Sequence, residues 1–316
     1  MIPTLGDVRA ARERIAPHLP QTPLYPYGAL GELVGTEVFV KHENHLPIGA
    51  FKVRGGVNLV SQLPEDERRS GVVTASTGNH GQSIAFAAGR FGVRAIVCVP
   101  ERANPVKLAS MGRLGAELVV HGRDFDEARE HCETLAHEHG YRYIHSANEP
   151  HLITGVGTAT LELLEAQPDI DVVIVPVGGG SGAAGACIAG KGIRPELEVI
   201  GVQSSAAPAA YRSWKARELL EDRMETGAEG LATRVAFELP QLIMWEQLDD
   251  FVLVDEDELD RAVLLMIEGT RNLVEPAGAS PLAAALRIKD RLAGRKVALI
   301  LSGGNISPDQ LRRLLH

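Results

Sequence analysis

A single lysine, Lys52, stands between Phe51 and Val53 in the glycine-flanked stretch GAFKVRGG (residues 49–56). Most lysines in proteins are solvated, with only the aliphatic stem packed on apolar groups. An amine that is held dry has a lowered pKa and can act as a nucleophile or a base. The choice between these two interpretations depends on the partners that the rest of the chain supplies.

A glycine-rich stretch, GGGSGAAG (178–185), follows an apolar run and opens a small-residue helical pattern. Consecutive glycines let backbone N–H groups approach an anion at a helix N-terminus, and three in a row exceed what a tight turn needs. Gly180, Gly182 and Gly185 satisfy the dinucleotide pattern G-x-G-x-x-G, but the next predicted strand ends in Gln203 instead of an acidic residue. A lone phosphate on a small cofactor is therefore expected.

Two further polar turns follow apolar runs, STGNHG (76–81) and SGGN (302–305). The N–H groups of the first turn are suited to a carboxylate, and Asn79 adds an amide donor. His80 is expected to be structural. Ser302 offers a hydroxyl that can bond to a ring nitrogen. Taken singly, each turn is also typical of an ordinary helix cap or strand end.

Together, these groups match the polar points of pyridoxal phosphate, which carries a phosphate, an aldehyde, a phenolic oxygen and a pyridine nitrogen. Lys52 would form a Schiff base with the aldehyde, which requires its pKa to be lowered by burial. Phe51 can pack on the ring. The sequence thus favours the dry, reactive lysine over the solvated one.

The elements that must position these groups are short apolar strands alternating with helical patterns. The strands are predicted at 37–43, 71–76, 94–100, 116–122, 171–177, 197–203, 250–254 and 296–302. Near-continuous apolar runs are typical of strands buried on both faces, and the alternation predicts doubly wound parallel α/β sheets. A capping-box pattern at Asp255 and Glu258 predicts a helix over 255–268. Ligands of such sheets lie at the carboxyl ends of the strands, where the polar turns occur.

Five stretches, ENHLPIGAFKVRGG, STGNHGQ, PVGGGSGAAG, VEPAGA and LSGGN, occur in the order and spacing of the fold-type-II pyridoxal-phosphate enzymes. The chain most resembles the branch of threonine and serine dehydratases and serine racemases, over nearly its whole length. The resemblance implies the tryptophan synthase β-like architecture. It implies a large cofactor-binding domain (1–62 and 147–316) and a small mobile domain (71–145) that closes on the substrate.

The resemblance also implies roles for residues that match the motifs. Lys52 corresponds to the Schiff-base lysine, Phe51 to its ring-packing neighbour and Asn79 to the donor to the phenolic oxygen. The phosphate loop corresponds to Gly178, Gly179, Gly180, Ser181 and Gly182, and the partner of the pyridine nitrogen to Ser302. The loop that receives the substrate carboxylate corresponds to Ser76, Thr77, Gly78, Asn79 and His80, and a family glutamate near the ring to Glu275.

The expected activity is that of a threonine ammonia-lyase, a carbon-nitrogen lyase that converts L-threonine, and L-serine as well, to a 2-oxo acid and ammonia by α,β-elimination. A serine racemase is the nearest alternative, because Thr77 keeps a hydroxyl where the resembling racemases have a catalytic serine. Dehydratases of hydroxyaspartate or ectoine-pathway substrates share the same motifs. A non-catalytic phosphate- or nucleotide-binding module is an alternative from another class, which Gln203 opposes.

Composition and net charge limit the kinds of partner that the protein is expected to bind. The 316 residues are 45% hydrophobic and carry a net charge of -9, which argues against nucleic acid and anionic membranes. No secretory leader or run of 18 apolar residues is visible, so a cytoplasmic protein is expected. The resemblance implies a homodimer or higher homo-oligomer. Gln203 and Ala209 stand where resembling racemases place carboxylate ligands of a divalent cation, so no divalent metal is expected, and a monovalent ion held by carbonyls stays an open alternative.

Overall fold

Two sheets organise the chain in the computed structural model, which describes residues 2–315. The strands are β1 Leu24–Pro26, β2 Glu37–His42, β3 Val72–Ala75, β4 Ala95–Val99, β5 Glu117–Val120, β6 Arg142–Tyr143, β7 Val172–Pro176, β8 Glu198–Ser204, β9 Asp250–Val254 and β10 Lys296–Leu301. The larger sheet has the order β1-β2-β10-β7-β8-β9, and the smaller has the order β5-β4-β3-β6. All pairs are parallel except β1 with β2.

Helices connect the strands and cover the sheets. They are α1 Leu5–Ile15, α2 Gly28–Val34, α3 Lys52–Val60, α4 Glu65–Ser70, α5 Asn79–Phe91, α6 Pro105–Arg113, α7 Phe125–His139, α8 Pro150–Ala166, α9 Ser181–Ile193, α10 Ala209–Ala216, α11 Glu238–Gln247, α12 Glu256–Thr270, α13 Pro276–Arg287, α14 Lys289–Leu292 and α15 Pro308–Leu314, with 3-10 turns at Glu43–His45 and Glu229–Leu231. The predicted capping box begins α12, where Asp255 and Glu258 each accept the other's backbone N–H.

The eight predicted strands are all present, each within two residues of its predicted ends. The doubly wound prediction is confirmed, because alternate residues of the central strand β7 enter different cores. Val172 and Ile174 pack in one core with α12 and α13, whereas Val173 and Val175 pack in another with α9 and α11. Strands β1 and β6 were not predicted; they are three and two residues long.

The four strands of the smaller sheet lie between residues 72 and 143, inside the segment expected to form the small domain. Movement of that segment stays a prediction. The turns after β3, β7 and β10 are the polar stretches found in the sequence. No helix within residues 2–315 is long and apolar enough to cross a membrane.

Candidate active site

Lys52 begins helix α3, and its ammonium is held inside the protein. Nζ donates to the hydroxyl of Ser181 at 2.9 Å and to the backbone carbonyl of Ser146 at 3.2 Å. Nζ also lies 5.5 Å from the centroid of the Phe51 ring. Burial lowers the pKa of Lys52 to about 8, because the charged form loses solvation inside the protein. A sizeable share of this amine is therefore neutral at physiological pH.

The turn before Lys52 is paired with the turn after β10. The backbone N–H of Phe51 donates to the carbonyl of Ser302 at 2.9 Å, and Ala50 and Gly303 form an isolated antiparallel bridge. Gly49 permits the tight approach, because its φ is +69° and a Cβ there would lie 2.8 Å from Asn305 Oδ1. This pairing fixes the start of α3 against the end of the last strand.

A buried group of four charges holds α3 from its other side. Arg54 pairs with Glu43 (Nε to Oε2, 2.6 Å) and with Glu162 (Nη1 to Oε1, 2.7 Å), and Lys41 Nζ lies 2.7 Å from Glu162 Oε2. The four side chains are at most 7% exposed. Two positive and two negative charges balance, which makes their burial tolerable. The group anchors the helix turn two residues beyond Lys52.

The glycine loop between β7 and α9 presents bare backbone. Gly180 has φ +88°, and a Cβ on Gly178 would lie 2.2 Å from the carbonyl oxygen of Gly230. A Cβ on Gly182 would lie 3.2 Å from Phe51 Cε2, and one on Gly179 would lie 3.1 Å from a neighbouring aromatic ring. The loop leads into α9, which has 13 residues and begins at Ser181. Together, the N-terminus of α9 and the bare loop form a cradle for an anion.

The loop between β3 and α5 holds the predicted carboxylate site. Ser76 Oγ accepts from the backbone N–H groups of Gly78 (3.2 Å) and Gly81 (2.9 Å), so this hydroxyl caps the helix. In the described part of the chain, the N–H groups of Asn79 and His80 donate to no protein acceptor. Thr77 is half-buried between the cap and these donors. The arrangement can receive a carboxylate at the start of α5.

His80 itself is structural in its contacts, as expected. Its Nε2 lies 2.9 Å from Thr74 Oγ1, and Thr74 donates its own proton to the carbonyl of Ile144 at 2.8 Å. His80 must therefore donate through Nε2. Burial lowers the pKa of His80 to about 3, so the ring is neutral and supplies no charge to the site.

Asn79 is fixed by two residues that the sequence places far from it. Its Nδ2 donates to Glu275 Oε1 at 2.8 Å, and its Oδ1 accepts from Asn305 Nδ2 at 2.7 Å. Asn305 Nδ2 also donates to the carbonyl of Ile48 at 2.8 Å. Because a carbonyl oxygen can only accept, this bond settles the direction of both amides. Glu275 is buried, and burial raises its pKa to about 7.

Phe51 and Ser302 lie together, as the sequence predicted they would if they shared a ring. Both line a mainly apolar cavity with Gly182. Ser302 is 5% exposed and begins the turn after β10. Its hydroxyl can donate to or accept from a ring nitrogen, but it brings no negative charge there.

The structure thus brings the predicted residues from four strand ends together, with Lys52 in contact with Ser181 of the glycine loop. Sequence reasoning missed the Ser146 carbonyl and the Asn305 amide. A backbone carbonyl leaves no signature in the sequence. Asn305 was visible in the SGGN turn, but its direction toward Asn79 was not.

These residues fit pyridoxal phosphate. A cradle that a Cβ would fill suits a phosphate, and a buried amine with a pKa near 8 suits an aldehyde. The second N–H of Asn79 is an amide donor in the same site. The residues that would hold the cofactor are therefore present in one place.

This chain is similar to known proteins in both sequence and structure. The family model described as pyridoxal-phosphate dependent enzyme matches residues 15–303. The L-threonine ammonia-lyase of Thermotoga maritima is 37% identical over 99% of this chain and 78% of that protein. The L-threo-3-hydroxyaspartate ammonia-lyase of Saccharomyces cerevisiae is 33% identical over 100% of this chain and 97% of that protein. The crystal structure of serine racemase from Dictyostelium discoideum has a TM-score of 0.91 and 36% identity, and the match covers 96% of this chain and 99% of that one.

Proposed function

Because the chain belongs to the fold-type-II family of pyridoxal-phosphate dependent enzymes, we propose that it is a dehydratase (ammonia-lyase) of β-hydroxy amino acids. Its preferred substrate is L-threonine, with L-serine second, and its products are a 2-oxo acid and ammonia. The observation that carries this proposal is the buried amine of Lys52, 2.9 Å from Ser181 in the glycine cradle. The threonine ammonia-lyase among the relatives supports the choice of reaction.

The cofactor, when bound, supplies an aldehyde that captures the amine of the substrate and a conjugated ring that withdraws electrons from the α-carbon. The protein supplies the positions. Gly178–Gly182 and the start of α9 would hold the phosphate, and Phe51 would pack on the ring. Asn79 would donate to the phenolic oxygen, and Ser302 would bond to the ring nitrogen.

Lys52 acts as the base at the α-carbon of the substrate. Its pKa near 8 leaves a neutral fraction at pH 7 to 8 that can accept the α-proton. The β-hydroxyl then leaves as water with the proton that Lys52 took from the α-carbon, and the released unsaturated amine is hydrolysed by water to the 2-oxo acid and ammonia. The N–H groups of Asn79 and His80 hold the substrate carboxylate, and the capping hydroxyl of Ser76 keeps that turn rigid.

Ser302 favours elimination over reactions that need a long-lived carbanion. A carboxylate at this position would keep the ring nitrogen protonated, whereas a hydroxyl does not, so the ring withdraws electrons less strongly. A leaving group on the β-carbon removes the negative charge from the α-carbon directly. A β-hydroxy amino acid provides that leaving group.

The test is a substrate panel of L-threonine, L-serine, L-threo-3-hydroxyaspartate and phenylserine, read by 2-oxo acid formation. We expect kcat/KM to be highest for threonine and next for serine. Preference for hydroxyaspartate by tenfold or more would overturn the threonine assignment while keeping the reaction. Absence of 2-oxo acid from all four would overturn the reaction itself.

Racemisation of serine is the second candidate, and Thr77 is the observation that favours it. Thr77 is half-buried beside the donors of the carboxylate turn and keeps a hydroxyl there. Racemisation needs such a second proton donor opposite Lys52. Chiral analysis of serine recovered after partial turnover measures it, and Thr77→Val would abolish D-serine formation while 2-oxo acid formation persists.

The same proposal includes the cellular location of the enzyme and its assembly. The family resemblance supports a cytoplasmic homo-oligomer, a homodimer being the simplest case. Static light scattering of the purified protein tests the assembly. A mass near 33.9 kDa, that of one chain, would contradict it.

A further inference from the structure

A polar pocket lies beside Glu275 and Asn305, the two residues that fix the amide of Asn79. Its lining includes Lys107, Glu229 and Gln310 as well as Glu275 and Asn305. Lys107 belongs to α6, which packs with the smaller sheet, whereas Glu275 immediately precedes α13 on the larger sheet. The pocket is therefore lined by charged residues from elements that pack on different sheets.

Lys107 is the cation of this pocket. Its side chain is 11% exposed and forms an ion pair with Glu229, whose side chain is 46% exposed. Within residues 2–315, the charged groups that face Glu275 are Lys107, which lowers the pKa of Glu275, and Glu229, which raises it. Burial raises the pKa of Glu275 more than either neighbour changes it. The charge on Glu275 therefore depends on how near Lys107 stays.

Glu275 holds one of the two amide N–H groups of Asn79. The oxygen of Asn79 is occupied by Asn305, and one of its two N–H groups donates to Glu275. A carboxylate accepts this hydrogen bond more strongly than a neutral carboxyl group does. When Glu275 is charged, the second N–H of Asn79 is held in one direction, and when it is neutral, that hold weakens.

We propose that Lys107 is a positioning residue for the cofactor: its ammonium favours the carboxylate form of Glu275, and Glu275 in turn orients the amide of Asn79. Within residues 2–315, Lys107 forms no hydrogen bond or ion pair with Lys52 or with Gly178–Gly182, so its charge is expected to reach the cofactor site through Glu275. A shift of α6 relative to the larger sheet changes the charge at Glu275 and so reaches the cofactor site. The inference rests on the proposed function only through the cofactor.

The experiment is a pH titration of the cofactor-loaded protein without amino acid, followed by its visible absorption spectrum between pH 5.5 and 9. The wild type is expected to show a spectral change with a midpoint near 7, the pKa of Glu275. Lys107→Met is expected to raise this midpoint by about one pH unit, because a cation near a carboxylate lowers its pKa by about one unit or more. Lys107→Arg is expected to keep the wild-type midpoint, and Glu275→Gln to abolish the change.

The matched control is Lys296→Met, which removes a lysine from an ion pair with Asp169 at the surface and should leave the midpoint unchanged. If Lys107→Met does not fold, Glu229→Gln gives a shift of opposite sign, because it removes the charge that opposes ionisation of Glu275. An unchanged midpoint in Lys107→Met, or a spectrum of Glu275→Gln that titrates like the wild type, would overturn the inference. Since no substrate is added, failure of the substrate panel leaves this result standing.

Discussion

The amine of Lys52 lies 2.9 Å from the hydroxyl of Ser181, although 129 residues separate them in the sequence. Lys52 begins α3 and Ser181 begins α9, so two helix N-termini meet at this point. A reactive amine and an anion cradle are thereby one site. Neither the lysine nor the glycine loop alone would distinguish a cofactor enzyme from an ordinary fold.

Removal of the Lys52 amine tests this relationship. We expect Lys52→Ala to lose the visible absorbance of bound cofactor and to lower 2-oxo acid formation by about 10²-fold to 10⁴-fold, the range that a positioned base contributes. The circular dichroism spectrum should be that of the wild type. Lys215→Ala is the matched control, because Lys215 is exposed and remote in role. Retention of both absorbance and turnover in Lys52→Ala would show that another amine does this work.

Because the carboxyl group of Glu275 is buried, we expect its ionisation to lower the free energy of unfolding as the pH rises. Its pKa is raised to about 7 in the folded protein from 4.5, so the folded state favours the protonated form. The stability that this provides is complete below pH 4.5 and is lost as the pH rises through 7. In the cofactor-free protein, Glu275→Gln should therefore raise the free energy of unfolding at pH 8 by on the order of 2–3 kcal/mol and by little at pH 4.5.

Urea unfolding of both proteins at pH 5, 6, 7 and 8 measures the effect. Glu138→Gln, at an exposed helix position, is the control and should show no gain that grows with pH. A gain of equal size at all four pH values would contradict the ionisation argument, because packing rather than charge would then explain it.

Removing one charge from the buried group of four around Arg54 is expected to cause a large loss of unfolding free energy. Glu43→Gln leaves Arg54 short of one counter-charge in a dry site, which should cost about 3–5 kcal/mol of unfolding free energy. The comparison is Glu117→Gln, which breaks a pair with Arg94 whose side chains are 53% and 52% exposed and should cost less than about 1 kcal/mol. Similar costs from urea unfolding would mean that water reaches Arg54.

A divalent metal should be dispensable. Gln203 is buried, and its neutral amide oxygen already accepts the N–H of Tyr211 at 3.0 Å, so it offers a cation neither a charge nor a fully free oxygen. Hard cations need several oxygen ligands, usually with carboxylates. Chelation followed by titration with magnesium should change neither the melting temperature nor the rate of 2-oxo acid formation. A saturable gain in either would show that other oxygens build a cation site.

The sequence predicts the parts of the site that are local. The loops that carry Lys52, Asn79 and Gly180 each follow an apolar strand, and parallel strands place such loops at one edge. The strand β1 was missed because it is a three-residue antiparallel edge that includes Pro26. Such a segment carries no alternation long enough to detect.

The hydrogen bonds that orient Asn79 could not be predicted in the same way. Glu275 lies 196 residues from Asn79, and Asn305 lies 226 residues from it. Such contacts depend on how two sheets pack and on which way each amide points. Neither property follows from residue types at fixed spacing.

The position of β10 has a consequence for biosynthesis. This last strand pairs with β2 on one side and β7 on the other. Until residues 296–301 have been made, the strand that joins β2 to β7 in the larger sheet is therefore missing. A growing chain on the ribosome carries two unpaired strand edges, which are open to wrong pairing. Its reactive lysine also waits for the turn at 302–304 against which residues 49–51 dock. Cofactor capture is therefore expected only after residues 296–304 have been made and have docked between β2 and β7.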